Sequence, residues 1–324
     1  MTELKDTFSI TEPITKSKNL IISAFSYLVS RITGYIQSFY FRKHAKKKPE
    51  AERAIILTNY FANRYMPAKR KLRQKPITVE NPETIWQFWD NKTGQKTPEI
   101  VFTSIDSVKK FVGNFDHKIL NFSTIENYSD LPGYVFDRLK SGRMIYAHFA
   151  DLLRLNLLKN HGGIWMDATL YATNFIPEYI INQDFFVFLT DKLTNYSYSY
   201  MQNFFIRAKK GSFLCEAWYL MCIEFWKSKK RSIDYFQHQL MFRSLVHKNP
   251  AARQLFNKMP HISEDETLQF VGNNLFKKFD PQEWERIKNH SFLQKTTYKV
   301  EDNKIISPID YPDTFFSKLC EGIS

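Results

Sequence analysis

The stretch Met144–Thr173, MIYAHFADLLRLNLLKNHGGIWMDATLYAT, decides how the chain folds. Its first half sets Ile145, Phe149, Leu152, Leu153 and Leu157 on one broad helical face, which Leu155 and Leu158 extend. A helix that is apolar on nearly every side is a buried one, so a core helix is predicted over 144–160. Asp151 and Arg154 stand one turn apart on the side away from that face, and buried charges must be paired or bound to something. Two readings stay open for them: a structural i,i+3 ion pair, or a carboxylate that orients a ligand hydroxyl or ring.

Gly162 and Gly163 end the helix and let the backbone turn sharply. The following residues, Ile164–Tyr171, read as a single strand with alternating side chains. Ile164, Met166, Ala168 and Leu170 point to the core, and Trp165, Asp167, Thr169 and Tyr171 share the other face. A carboxylate in so apolar a strand is costly unless it serves a metal, a sugar hydroxyl or a neighbouring cation. Asp167, with Thr169 beside it, is therefore a candidate site residue.

Working outward, Thr84–Trp89 reads as a short aromatic strand, Pro98 to about Val112 as a helix and His117–Phe122 as a second strand. A short helix over Tyr134–Lys140 precedes the central stretch. Strands are expected at Asp184–Leu189 and Met201–Arg207, then helical segments over Phe213–Met259 and Pro281–His290. Alternating strands and helices predict an α/β fold with a mostly parallel, Rossmann-like sheet and helices on both faces. Ligands of such sheets bind at the carboxyl ends of the strands, where Asp167 falls.

A chain of 324 residues with 43% hydrophobic side chains can bury a sizeable core. Its 29 Phe and 17 Tyr against only 10 Gly exclude a disordered or low-complexity protein, and no solenoid-type repeat is present. Cys215, Cys222 and Cys320 have no framework spacing, so neither a disulfide scaffold nor a zinc site is expected and a reducing cytoplasm fits. Met1–Thr15 is polar and reads as no secretory signal, which again places the chain inside the cell.

The net charge of +13 is unevenly placed. Residues 1–80 carry 16 Lys and Arg against 6 Asp and Glu, an excess of ten, and the rest of the chain is close to neutral. Between Asn19 and Phe41 only Arg31 is charged, and Ile21, Phe25, Leu28, Ile32, Ile36 and Phe39 recur at helical spacing. Serines interrupt this run, and a spanning helix needs roughly 20 mostly apolar residues. Basic runs follow at Arg42–Lys48 and Lys69–Lys75. An amphipathic helix with polybasic runs suits an anionic membrane surface, where each basic residue contributes about 1 kcal/mol. The alternative is a helical bundle packed on the main domain. Nucleic-acid binding is disfavoured because no motif for it accompanies the charge. The expected organisation is a basic helical region over 1–80 and a catalytic domain over 81–324.

The Ala-Asp-x-x-Arg helix, the Gly-Gly turn and the aromatic strand ending in Asp resemble the family 32 glycosyltransferases, and within them the capsular polysaccharide synthesis glycosyltransferases. The resemblance takes in Ile85–Trp89 with Pro98, Asn203–Ile206, Asp234–Phe236 and Phe292–Lys295, and covers roughly Glu83 to Lys299. It implies a GT-A fold and a retaining transfer of a hexose from a nucleotide-diphosphate sugar, first of all a UDP-hexose. The implied acceptor is a polyprenyl-diphosphate-linked saccharide at the cytoplasmic membrane face of a bacterium.

The family's metal motif is Asp-x-Asp, holding Mn²⁺ or Mg²⁺ against the diphosphate, whereas here the triplet is Asp167-Ala168-Thr169. The resemblance makes Asp167 a ligand of metal and sugar, with His238 the first candidate for a further metal ligand. It puts Asp151 on the ribose or donor sugar, with Arg154 holding Asp151 or the donor. Trp86 and Gln87 would cradle the base, although Trp86 reads equally as core. Gly163, Thr169 and Asn203 complete the donor-binding set, and Asp234 joins Asp167 and Asp151 as a catalytic candidate. The competing expectations are a nucleotide-sugar hydrolase or phosphotransferase, and a catalytically weak scaffold subunit of a polysaccharide-assembly complex.

Overall fold

A computed structural model describes residues 48–68, 72, 75–91, 95–190, 198–270, 272–300 and 304–323. The apolar stripe of residues 19–41 and most of both basic runs lie outside the described residues. The chain divides into two compact units, Met1–Arg53 and Ala54–Ser324. The second begins within helix α1 (Glu50–Tyr65), whose Phe61 and Tyr65 lie 6.0 and 5.3 Å from the Phe225 ring. Ser244 Oγ donates to Thr58 O at 2.9 Å. Residues 54–65 thus belong to the main body, although composition groups them with the basic region of residues 1–80. Among the described residues no helix is long and apolar enough to cross a membrane.

The sheet has the spatial order β2 (Asp116–Leu120), β1 (Thr84–Phe88), β3 (Gly163–Met166), β6 (Met201–Ala208), β5 (Phe185–Leu189). β1 pairs in parallel with β2 and β3, while β6 runs antiparallel to both β3 and β5. Four of the five strands therefore share one direction, as the alternating pattern predicts. From β1 the chain crosses to β2 through α2 (Glu99–Lys110), then returns past β1 to β3 through α3 (Gly133–Lys140) and α4 (Tyr146–His161). The two moves run in opposite directions along the sheet, so right-handed crossovers put α2 and α4 on opposite faces. Ile100, Val101, Ser104, Ile105 and Val108 are the buried stripe of α2, with Glu99 and Lys109-Lys110 placed to suit its dipole. Helix α4 buries every residue from Leu152 to Leu158 and packs against α6 (Phe213–Ser228), which follows the short helix α5 (Glu178–Ile181) and two strands in the chain.

The Gly-Gly turn is required by close backbone approach. Gly162 and Gly163 have φ of 74° and 99°. A Cβ on Gly163 would lie 2.1 Å from Thr84 O, and one on Gly162 would lie 2.6 Å from Lys210 N. Any side chain here would push α4 and β3 away from their neighbours. Below the turn, Arg207 is 1% exposed and makes a two-pronged ion pair with Glu83, at 2.7 and 2.8 Å. That pair ties β6 to the entry of β1, and losing one partner of such a buried pair costs about 3–5 kcal/mol.

The expected single strand Ile164–Tyr171 is in fact two. β3 ends at Met166, a turn over Asp167–Thr169 is closed by Leu170 N donating to Asp167 O at 2.9 Å, and β4 (Leu170–Ala172) leaves the main sheet. β4 pairs antiparallel with β7 (Leu293–Lys295), in the register Leu170↔Lys295 and Ala172↔Leu293. The apolar alternation runs through both strands, so it hides the change of partner. Likewise Phe213–Met259 is three helices: α6, α7 (Gln237–Lys248) and α8 (Pro250–Lys258), the last capped by Asn249. A second apolar cluster joins α2 residues to Ala168, Tyr171, Trp284, Phe315, Phe316 and Leu319. It seats the C-terminal elements α9 (Pro281–His290) and α10 (Phe315–Glu321) beneath the Asp167 turn, and so carries β7 to that turn.

Candidate active site

Three residues of α4, His148, Asp151 and Arg154, follow one another at i,i+3 spacing and share a helix face. Asp151 Oδ1 accepts from Asn203 Nδ2 of β6 at 2.7 Å and lies 3.5 Å from His238 Nδ1 of α7. Its Oδ2 lies 3.4 Å from His148 Nδ1. The Arg154 guanidinium reaches both carboxylates, at 3.6 Å from Asp151 Oδ1 and 3.4 Å from Asp167 Oδ1. It also donates to Asn203 O and to Ala150 O, and lies 5.1 Å over the Trp165 ring. Asp151 and Arg154 thus form the i,i+3 ion pair, and the arginine extends it into a bridge between two carboxylates.

Asp167 stands in front of this buried layer. Its Oδ1 accepts from Trp165 Nε1 at 2.9 Å, and its Oδ2 accepts from Lys295 Nζ at 3.1 Å. The same ammonium donates to Thr169 Oγ1 at 2.7 Å. Gln87 donates to Asp167 O at 3.4 Å and pairs through Oε1 with His117 Nε2 at 2.7 Å, so the end of β1 supports the turn. The side chains of Asp167 and Lys295 are each 26% exposed, against 5% for Arg154. The front edge is open and the back is closed.

Burial alone would raise both carboxyls. At Asp151 the imidazole of His238, a hydrogen bond from His148 and the Arg154 guanidinium outweigh it and hold the group down at about 2. At Asp167 burial is outweighed by Lys295 and Arg154, and the carboxyl again falls below its ordinary value. Burial drives His238 down to about 3 despite the neighbouring carboxylate. At neutral pH the ring is uncharged, and its Nδ1 lies 3.1 Å from Asn203 Nδ2. Two carboxylates thus face two cations, Arg154 and Lys295. What the open edge offers a ligand is an ammonium and a carboxylate, groups that match phosphate oxygens and sugar hydroxyls, while the buried Thr169 hydroxyl holds the ammonium from behind.

Of the residues expected from sequence, Asp151, Arg154, Asp167, Thr169, Asn203, His238 and Gln87 are brought together. Trp86 and Gly163 are not part of the open edge. Trp86 is 2% exposed and its Nε1 donates to Gly162 O at 2.9 Å, so it fastens the Gly-Gly turn to β1. Gly163 is packed on the Thr84 backbone. Asp234 accepts from Tyr198 Oη and from Phe236 N, the latter at 2.8 Å within its own turn. Its neighbour Tyr235 is acted on by both carboxylates. It is 61% exposed, its ring lies 6.1 Å from that of His148, and its hydroxyl is raised first by partial burial, then by Asp151 and Asp167. Sequence reading missed Lys295, Tyr235, His148 and His117. The Phe292–Lys295 and Asp234–Phe236 segments carried Lys295 and Tyr235 only as parts of a pattern.

A divalent cation held between Asp167 and His238 does not fit these residues. His238 lies on Asp151 and Asn203, and the Arg154 guanidinium stands between Asp151 and Asp167. Both oxygens of Asp167 already accept from N–H donors. Among the described residues no group of three or more His, Cys, Asp or Glu side chains is placed to hold a metal ion. A divalent ion about 4 Å from the Lys295 ammonium would meet roughly twice the ~4 kcal/mol repulsion of two unit charges at an effective dielectric of 20.

The family model described as capsular polysaccharide synthesis protein matches residues 36–319. The glycosyltransferase afumC of Aspergillus fumigatus is 22% identical over 196 residues, covering 55% of this chain and 49% of that protein. The O-glycosyltransferase braB of Annulohypoxylon truncatum is 23% identical over 185 residues, covering 51% of this chain and 42% of its own length. The chain spans about half the length of these curated relatives, or less. Among solved structures, the PaToxG glycosyltransferase is 16% identical with a TM-score of 0.39, covering 69% of this chain and 84% of that one.

The pairing of Asp151 sets a pH dependence of stability. Its folded value of about 2 lies below the ordinary 3.8, so the stabilisation is complete above pH 3.8 and is lost as pH falls toward 2. The contribution is on the order of 2 kcal/mol. Urea unfolding of Asp151→Asn is expected to show a flatter fall in stability between pH 4 and pH 2 than the parent; an unchanged slope would contradict the pairing.

Proposed function

The chain belongs to the capsular polysaccharide synthesis protein family, and we propose that it is a GT-A-type glycosyltransferase moving a hexose from a nucleotide-diphosphate sugar, a UDP-hexose first, to a lipid-linked saccharide. The observation that carries this reading is the layered site at the carboxyl end of β3. A buried layer of Asp151, Arg154 and His238, bridged by Asn203, backs an open edge of Asp167, Lys295 and Tyr235. The names of the two curated relatives agree with glycosyl transfer.

In the proposed reaction the bond between sugar C1 and the diphosphate oxygen breaks, and its electron pair stays on the phosphate. The acceptor hydroxyl forms the new C1–O bond on the same face and passes its proton to the departing phosphate oxygen, so configuration is retained. The protein's work is to hold both partners close and to place fixed charge where charge develops. Asp167, ionised and half-open, takes sugar hydroxyls. Asp151 and Asn203 hold Arg154, and through it Asp167, in one orientation. Gln87 and His117 carry the end of β1 where the base would lie. Tyr235, exposed beside the two carboxylates, offers a ring face to the donor or acceptor sugar.

A thermal-shift screen against UDP, GDP and their glucose, galactose and mannose conjugates tests this. One nucleotide sugar is expected to raise the melting temperature, and Asp167→Asn is expected to remove that rise and lower turnover at least 100-fold. No shift with any donor would favour the scaffold reading.

The basic N-terminal region provides the second half of the proposal. Its excess of ten positive charges suits the anionic leaflet that carries a polyprenyl-linked acceptor, and so a peripheral position on the inner membrane face. Because residues 54–65 pack into the main body, removal of residues 1–47 is the clean truncation. It removes the apolar stripe and five of the ten excess charges, and should weaken sedimentation with anionic vesicles while sparing donor binding; unchanged sedimentation would contradict membrane docking.

A further inference from the structure

The cation that faces the open edge comes from the chain itself. The β4–β7 ladder places Lys295 opposite Leu170, and Thr296 N and Oγ1 each donate to Thr169 O at 2.9 Å. Thr296 Oγ1 also lies 3.2 Å from Ser104 Oγ of α2. The lysine backbone is thereby locked to the Asp167–Thr169 turn. Its ammonium donates to Asp167 Oδ2 and Thr169 Oγ1 and lies 5.6 Å over the Phe204 ring. An ammonium has three N–H donors, so with these two engaged a third remains for a ligand oxygen. Arg154 cannot take that place. It is 5% exposed and spends its donors on Asn203 O, Ala150 O and the two carboxylates.

We propose that Lys295 does the work a divalent ion does in Asp-x-Asp enzymes, binding the donor's diphosphate and neutralising it as the C1–O bond breaks, so that transfer needs no metal. The proposal rests on the nucleotide-sugar reading above. It accounts for Asp167-Ala168-Thr169 having one carboxylate: a single positive charge shared by a carboxylate and a hydroxyl leaves the edge able to accept an anion, which a second carboxylate would oppose. The bond broken is that between C1 and the phosphate oxygen, whose electron pair goes to the phosphate that Lys295 holds. The acceptor's proton ends on the same departing group.

The test uses the full chain with UDP, uridine and UDP-glucose, in excess EDTA and then with Mn²⁺. Binding of UDP and turnover of UDP-glucose are expected to be equal in both conditions. Lys295→Met should weaken UDP about 100-fold and leave uridine unchanged, with kcat/KM down about 100- to 1,000-fold, the size of losing one charge-stabilising donor. Lys295→Arg should recover part of the loss, and both variants should melt within a few degrees of the parent when no nucleotide is present. UDP binding or turnover that requires Mn²⁺ would overturn the lysine assignment and leave glycosyl transfer standing. Equal UDP affinity in Lys295→Met and parent would also overturn it. A chain that takes neither UDP nor UDP-glucose in either condition would overturn both the lysine assignment and the choice of a UDP-hexose as donor.

Discussion

A guanidinium cannot be buried without enough acceptors to replace water, and Arg154 draws its acceptors from separate parts of the fold. Helix α4 supplies Asp151 and the Ala150 carbonyl, β6 supplies the Asn203 carbonyl, and the turn after β3 supplies Asp167. Trp165 covers its face. Removing either carboxylate would leave the buried guanidinium with one counter-charge in place of two, so the helix, the turn and the antiparallel strand are held in one arrangement. The geometry of the open edge follows from this. Asp167 turns its second oxygen toward Lys295, and β7 brings Lys295 there because the chain leaves the main sheet after Met166 and pairs β4 with β7.

The legible part of the fold is the part whose signals are local. Helix α4 could be read from its all-round apolar surface, its end from Gly162-Gly163, and the pairing of Asp151 with Arg154 from one-turn spacing. Gln87 and Trp86 are neighbours on one strand, and alternation says that they face opposite ways without saying which way the site lies. The structure puts Gln87 at the Asp167 turn and Trp86 on Gly162. The break between β3 and β4 could not be read, because both strands are apolar and only the partner changes. Lys295 was hidden for a similar reason: it is 126 residues from Thr169, and no local pattern marks an ammonium that the C-terminal packing delivers. Expecting a metal ligand at His238 follows from reading Asp167-Ala168-Thr169 as a shortened Asp-x-Asp. In the folded chain the imidazole lies on Asp151 and Asn203, stacked 4.1 Å from the Trp218 ring, and burial keeps it neutral.

Charge balance gives the site its direction. Two carboxylates and two cations leave it near neutral, but they are not equally placed. Arg154 is sealed in the closed layer, and Lys295 is at the edge. A ligand with a diphosphate and sugar hydroxyls can exchange water for Lys295 and Asp167 without disturbing the layer behind. The family match reaches from residue 36 to 319 and so takes in this whole arrangement.

A crystal structure of the full chain with UDP-glucose, grown in EDTA, would show directly whether Lys295 holds the donor. The diphosphate is expected at the carboxyl end of β3, with a phosphate oxygen within hydrogen-bond distance of Lys295 Nζ and a sugar hydroxyl on Asp167. A diphosphate bound elsewhere, or one that enters only with a divalent ion seated on Asp167 and Lys295 swung away, would contradict the lysine assignment.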